Sequence, residues 1–295
     1  MLQITNFDLH LNAKKFLKHL SRQNYSLETI TGYGKDLEKF CKFIFTEYGG
    51  NILTSEVTKE DIQDYLTFLK RMEFKPNSVA RHLSTLKSFY KFLIYEMNFE
   101  RNAAAGIKHP KNNKMLPSAL TKEELDQLFR ALEQESPYFE AFFKLMYSTG
   151  SRITALRTTL KKNVDLQNKQ IYFPKVKYNK ELYLPLNNEI LPILERHLFD
   201  HRNSFSEFLF ESSREKNKPI SAGLIRLKLT HFRQLAGIER HVHPHMIRHT
   251  TATQLTLKKV HQKEIASIMG HSDLRSTATY QHLVVDDLRD SINKL

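Results

Sequence analysis

The chain is organised around His245-Met246-Ile247-Arg248-His249-Thr250, entered through Pro244 and followed later by Met269-Gly270-His271 and Tyr280. Proline suits the first turn of a helix, and residues three apart share a helical face, so His245 and Arg248 are predicted to project from one side. That face offers a proton-transfer group beside a fixed cation. Gly270 reads as a helix stop with His271 directly after it, and Ser276 can cap a short helix carrying Tyr280. Two histidines, an arginine and a tyrosine are therefore expected to converge. A guanidinium grips phosphate oxygens bidentately, imidazoles donate to the same oxygens, and a tyrosine hydroxyl can attack phosphorus. The set suits phosphoryl transfer without a metal. His245 and His249 also have the i, i+4 spacing of a metal pair, but Arg248 brings a cation where a metalloprotease motif carries Glu. The metal reading ranks below the phosphate reading.

The 295 residues suffice for about two domains. The 45 Lys and Arg against 32 Asp and Glu leave a formal charge of +13, spread along the chain rather than held in a tail. A polyanionic partner is the expectation. Cys41 is the only cysteine, which excludes an intramolecular disulfide, and its place in Phe40-Cys41-Lys42-Phe43-Ile44 marks it as a small core residue. No apolar stretch approaches the roughly 20 residues that span a bilayer, and the first residues, with Asp8 and His10, do not read as a signal peptide. A cytoplasmic protein with no membrane partner is expected.

From about 12 to 105 the pattern is almost entirely helical. Phe16, Leu17 and Leu20 form one apolar stripe and Leu37, Phe40, Phe43 and Ile44 another. Ser26 can cap the second helix, which Gly32 and Gly34 should weaken by about 1 kcal/mol each. Thr58 with Asp61 signals a third helix, ahead of Ile62, Tyr65, Leu66 and Leu69. A fourth, from about Asn77 to Tyr95, has a core stripe of Val79, Leu83, Leu86, Phe89 or Tyr90, and Leu93. Its second stripe, Asn77, Arg81, Ser84, Ser88 and Lys91, offers cations and hydroxyls suited to phosphates, although taken alone it reads as a solvated face.

Gly106, Pro110, Pro117 and the basic run 108–114 mark a linker. Thr121 and Glu124 then form a capping-box signature, and helices continue to the turn Thr149-Gly150-Ser151-Arg152. Gln170 to Lys177 and Leu182 to Leu186, joined by Tyr178-Asn179-Lys180, make the best hairpin in the chain. Further helices are expected around Ile190 to His197 and Ala222 to Leu235. The loop 204–219 is left unassigned. Leu283, Val284, Leu288 and Ile292 predict an amphipathic tail helix.

His245-x-x-Arg248-His249-Thr250-x-Ala252-Thr253, then Gly270-His271-Ser272 and Thr279-Tyr280-x-His282, resembles the C-terminal signature of the tyrosine recombinases, or phage integrase family. The resemblance extends to Leu116-Pro117-x-x-Leu120-Thr121 and to Thr149-Gly150-x-Arg152. It also covers Lys177-x-Asn179-Lys180-Glu181 ahead of Pro185-Leu186, and the run Arg81 to Leu93. It implies a mostly α protein of two domains, forming a C-shaped clamp around DNA. Residues 1–106 would be a helical, SAM-like core-binding bundle, 107–119 a basic linker, and 120–295 an α+β catalytic domain with a small antiparallel sheet and a tail helix.

The resemblance further implies Arg152, Lys177, His245, Arg248, His271 and Tyr280 as catalytic residues, with Lys175 and Lys180 as reserves for the general acid. Arg81, Ser84, Ser88 and Lys91 are implied as DNA contacts. The partners implied are double-stranded core sites and further copies of the chain, a dimer on one site and a tetramer in synapse, joined through the tail 281–295. Because the phosphotyrosyl link conserves bond energy, neither ATP nor metal is expected, and no cofactor. Two departures stand out. Tyr178 occupies a position where glycine is usual, and Ala155 occupies one where the family usually carries Glu or Asp. Strand cleavage and rejoining through a 3′-phosphotyrosyl intermediate, for resolution or inversion, is the expected function. The alternative is an accessory factor that binds its site but cuts poorly because of Ala155.

Overall fold

A computed structural model describes residues 8–110, 119–176, 180–202 and 204–270. It divides into two compact units, Met1–Lys114 and Met115–Leu295. The first unit holds helices α1 (Asp8–Arg22), α2 (Leu27–Glu47), α3 (Lys59–Arg71) and α4 (Pro76–Met97). Their starts follow from local chemistry. Ser26 accepts from Thr29 N to begin α2, and Thr58 and Asp61 complete a reciprocal capping box on α3. Pro76 opens α4, whose last turn closes on Asn98 in the left-handed region at φ 54°. The expected helix from Asn77 to Tyr95 is thus present and slightly longer.

The stripes pack inward as read: Phe16, Phe40, Ile44, Leu83, Leu86, Phe89 and Leu93 are buried in one core. Each contributes about 1.5–3 kcal/mol relative to exposure. Cys41 lies in the same core, where burial pushes its thiol up to about 12. A Cβ on Gly34 would touch Leu17 at 3.4 Å, whereas Gly32 faces open space. Close approach therefore explains one of the two helical glycines.

Two residues on the buried side of α4 are polar. His82 and Thr85 face Asp36 of α2, a carboxylate only 2% exposed. Thr85 Oγ1 donates to Asp36 Oδ2 at 2.8 Å, His82 Nε2 lies 3.4 Å from Oδ1, and Tyr65 is hydrogen-bonded to His82 Nδ1 at 3.0 Å. The network satisfies a charge that would otherwise be costly to bury.

The second unit contains α5 (Lys122–Glu135), α6 (Pro137–Thr149), α7 (Ile153–Arg157), a 3-10 turn at Lys161–Asn163, β1 (Val164–Asp165), β2 (Gln170–Val176) and β3 (Lys180–Pro185). Then follow α8 (Leu191–Asp200), α9 (Ala222–Leu235), α10 (Pro244–Leu257) and α11 (Gln262–Ile268). Thr121 and Glu124 form the expected capping box. The hairpin is present and gains a third strand, β1, that its two residues did not advertise. The sheet is antiparallel in the order β1-β2-β3, with Ile171 opposite Leu184 and Phe173 opposite Leu182. Ile171, Phe173 and Leu184 face the core, while Tyr172 and Tyr183 stack outside it, ring centroids 4.6 Å apart. The register shifts between Phe173 and Val176, where Pro174 supplies no ladder donor.

Helix α6 is the centre of this unit, packed against α5, α8 and α10. Phe142, Phe143, Leu145 and Met146 are buried there. The loop 204–219 is tied to the unit by an isolated bridge between Leu160 and Phe208, and closes on itself through another between Glu211 and Pro219. Among the described residues no helix is long and apolar enough to cross a membrane.

Candidate active site

Two turns and one helix build the site. Gly150 ends α6 at φ +57°, and Arg152, two residues on, is the N-cap of α7. A Cβ on Gly150 would lie 2.7 Å from Met269 Sδ, so both space and backbone require glycine here. Pro244 sits in the first turn of α10, as expected. The cap itself was not foreseen: His243 Nδ1 accepts from Met246 N at 3.2 Å. An imidazole is a less familiar cap than Ser, Thr, Asp or Asn, and the histidine-rich run gave no reason to choose it.

Arg248, one turn after His245, is 5% exposed. Its Nη1 donates to Gly150 O at 2.6 Å and its Nη2 to Met269 O at 2.5 Å. Thr251 adds a bond from Oγ1 to Tyr147 O at 2.7 Å. The end of α6, the end of α11 and the first turns of α10 are thereby stapled together. Gly270, at φ +56°, closes α11, and a Cβ there would sit 3.9 Å from Arg152 Nη1.

The result is a cleft of about 170 Å³ lined by Ser151, Arg152, Ala155, Phe173, Leu182 and Arg248 among others. Ser151 Oγ is enclosed without a hydrogen-bond partner among the described residues. Ala155 contributes a methyl group to the same cleft wall as Arg152 and Arg248.

Burial depresses Arg152 from its ordinary value, but a guanidinium remains cationic at neutral pH. His245 is lowered first by burial and then by Arg248, His243, Arg152 and Arg226. It is therefore neutral near pH 7 and able to take a proton. His249, its ring 6.4 Å from that of His245, is pushed down to about 4, first by burial and then by His245 and Arg248. Among the described residues no group of three or more His, Cys, Asp or Glu is placed to hold a metal ion.

Of the expected catalytic set, Arg152 and Arg248 line one cleft, and exposed His245 lies near enough for both charges to lower it. Lys177, His271 and Tyr280 lie outside the described residues, as do Ser276 and the tail 281–295; the side chains of the reserves Lys175 and Lys180 are likewise not described. On α4, Arg81, Ser84 and Lys91 are exposed and Ser88 is half-buried. Arg81 is not an unengaged cation: its Nη1 pairs with buried Asp36 while half of its side chain stays exposed. Ser84 Oγ donates to Ala80 O at 3.1 Å, and Lys91 Nζ lies 5.7 Å from the Tyr95 ring centre. Sequence reasoning missed Arg226, an exposed α9 cation that acts on His245. Nothing in its local pattern separates it from other surface arginines.

Two guanidinium groups thus line one cleft and lower a nearby imidazole, on a helical scaffold with one small sheet, and paired guanidinium groups suit an anionic group such as a phosphate. The chain belongs to the phage integrase family and is a tyrosine-type site-specific recombinase: the model of that family matches residues 118–286, and that of its N-terminal SAM-like domain matches residues 13–97. It is 33% identical to the tyrosine recombinase XerC of Oceanobacillus iheyensis, over 97% of this chain and 96% of the relative. The fold is shared with the Tn1549 transposon integrase in complex with a circular intermediate DNA, at TM-score 0.78 and 18% identity, over 98% of this chain and 100% of the other. It is shared too with a lambda integrase tetramer bound to a Holliday junction, at TM-score 0.72 and 19% identity, over 90% of this chain and 77% of the other.

Proposed function

We propose that the chain recombines paired DNA core sites through a 3′-phosphotyrosyl intermediate, in resolution or inversion. The observation that carries this reading is the meeting of Arg152 and Arg248 in one cleft beside His245. In the proposed mechanism the two arginines hold the non-bridging oxygens of the scissile phosphate, while His245 and His271 donate to it or move protons. Tyr280 attacks phosphorus, Lys177 protonates the departing 5′ oxygen, and the partner strand's hydroxyl later reverses the step. Arg81, Ser84, Ser88 and Lys91 contact the core site from the first unit. Copies of the chain associate through the tail 281–295, as a dimer on one site and a tetramer in synapse. The tetrameric lambda integrase of this fold supports that assembly.

The test is a nicked suicide duplex carrying the candidate site, scored for covalent adduct in denaturing gels. Wild type is expected to form an adduct and Tyr280→Phe to bind DNA without one; an adduct with Tyr280→Phe sinks the assignment. Ala155, whose methyl lines the arginine cleft, favours a second reading, a site-binding accessory factor that cuts poorly. Tight binding with no adduct, restored by Ala155→Glu, identifies that alanine as the reason.

A further inference from the structure

Thr250 follows Arg248 by two residues and is completely buried. Its hydroxyl accepts from Leu120 N at 2.8 Å and donates to Met246 O at 2.8 Å. The first of these bonds joins α10 to the chain where it emerges from the basic stretch 107–119. Neighbouring backbone groups are fixed as well. Arg240 Nη2 donates to Ala119 O at 2.6 Å, Arg240 Nε donates to Glu124 Oε1 at 2.8 Å, and Glu124 Oε2 accepts from Thr121 N at 2.8 Å.

Three successive residues, 119 to 121, are thus held by side chains from α10, from the segment before α10, and from α5. The capping of α5 needs only Thr121 and Glu124. The bonds from Thr250 and Arg240 add a connection to the helix that presents His245 and Arg248. That helix is rigid over this interval, because Thr250, Thr251 and Arg248 tie it to Leu120, Tyr147, Gly150 and Met269 within little more than one turn. A displacement at Leu120 therefore reaches Arg248 as movement of the whole turn.

We propose that Thr250 is a positioning residue that couples the placement of the chain at 119–121 to the aim of Arg248 and His245 at the scissile phosphate. The inference rests on the recombinase reading. A shift of the backbone at 119–121 then acts on cleavage geometry, because a misplacement of about 1 Å at a reacting phosphate costs up to roughly 100-fold in rate.

The test measures single-turnover adduct formation on saturating suicide duplex, with site affinity and Tm measured alongside, well below the melting range. Thr250→Val keeps the shape and removes both hydrogen bonds. It is expected to form adduct at least about tenfold more slowly with unchanged affinity, while Thr250→Ser stays near the wild-type rate. Arg240→Met, which releases Ala119 O from a half-exposed side chain, is expected to slow cleavage in the same way and decides the matter if Thr250→Val does not fold. A lowered Tm with wild-type cleavage rates in both variants overturns the proposal and leaves Thr250 a stabilising contact only. Wild type forming no adduct sinks the recombinase reading, and this inference with it.

Discussion

Arg248 donates to two carbonyls that lie 98 and 21 residues away in sequence. Those bonds fix the plane of the guanidinium, whose planar fork of five donors allows two carbonyls to be held at once by a group that also lines the cleft. A lysine ammonium is a compact point charge and cannot do both. Arg248→Lys is therefore expected to keep specific DNA binding while reducing adduct formation on the order of 100-fold or more, as single-turnover kinetics on the suicide duplex will read. A variant within a few-fold of wild type would show that charge alone suffices. The residue was legible in the sequence through its spacing from His245 and Pro244. The carbonyls that aim it were not, since any backbone offers carbonyls and only tertiary approach selects two of them.

At the scale of elements, the site depends on how helices end. Gly150 closes α6, turns the chain toward Arg152 and exposes the carbonyl that Arg248 takes. Gly150→Ala meets two obstacles, the positive φ and the Met269 sulfur 2.7 Å from the new Cβ. A loss of about 1–3 kcal/mol in stability is expected, read as a lower urea midpoint, together with slower cleavage. Met269→Ala in the same chain relieves the steric part and not the backbone part, so rescue should be partial. Full rescue would mean that the left-handed turn is dispensable. The α4 helix carries a related lesson. Its apolar stripe and its start were readable from period and proline, but Arg81 is tethered to Asp36, 45 residues earlier. The same helix face thus serves the buried network and the exterior, which local periodicity cannot distinguish.

Across the whole molecule, several histidines have lowered proton affinity: His197 is buried, His249 half-buried, and His243 and His245 are exposed. His197, 4% exposed, donates from Nε2 to Leu209 O, and burial pushes it down to about 4; His249 is lowered to about 4 as well. His243 and His245 are also lowered. Unfolded, these groups take up protons around 6.5. Between that pH and about 4 the unfolded chain holds more protons than the folded one. Stability from these groups is therefore complete above about pH 6.5 and is lost as pH falls toward about 4, His197 alone accounting for on the order of 3 kcal/mol. Tm measured from pH 7 to 4 should fall, and His197→Gln should show a shallower acid slope. A flat profile would contradict neutral burial.

By itself the sequence determined the helical character of the first unit, the hairpin, the caps at Ser26, Thr58 and Thr121, and the order of the chemical motifs, because periodicity, turn residues and capping act within a few residues of each other. Only the tertiary structure decided that Arg152 and Arg248 share one cleft, that Ala155 lines it, that Asp36 holds Arg81, and that Thr250 grips the backbone at Leu120. Those contacts join residues far apart in the chain, and their partners are backbone carbonyls, amides and single buried charges. Such groups leave no periodic trace in the sequence, so packing alone selects them.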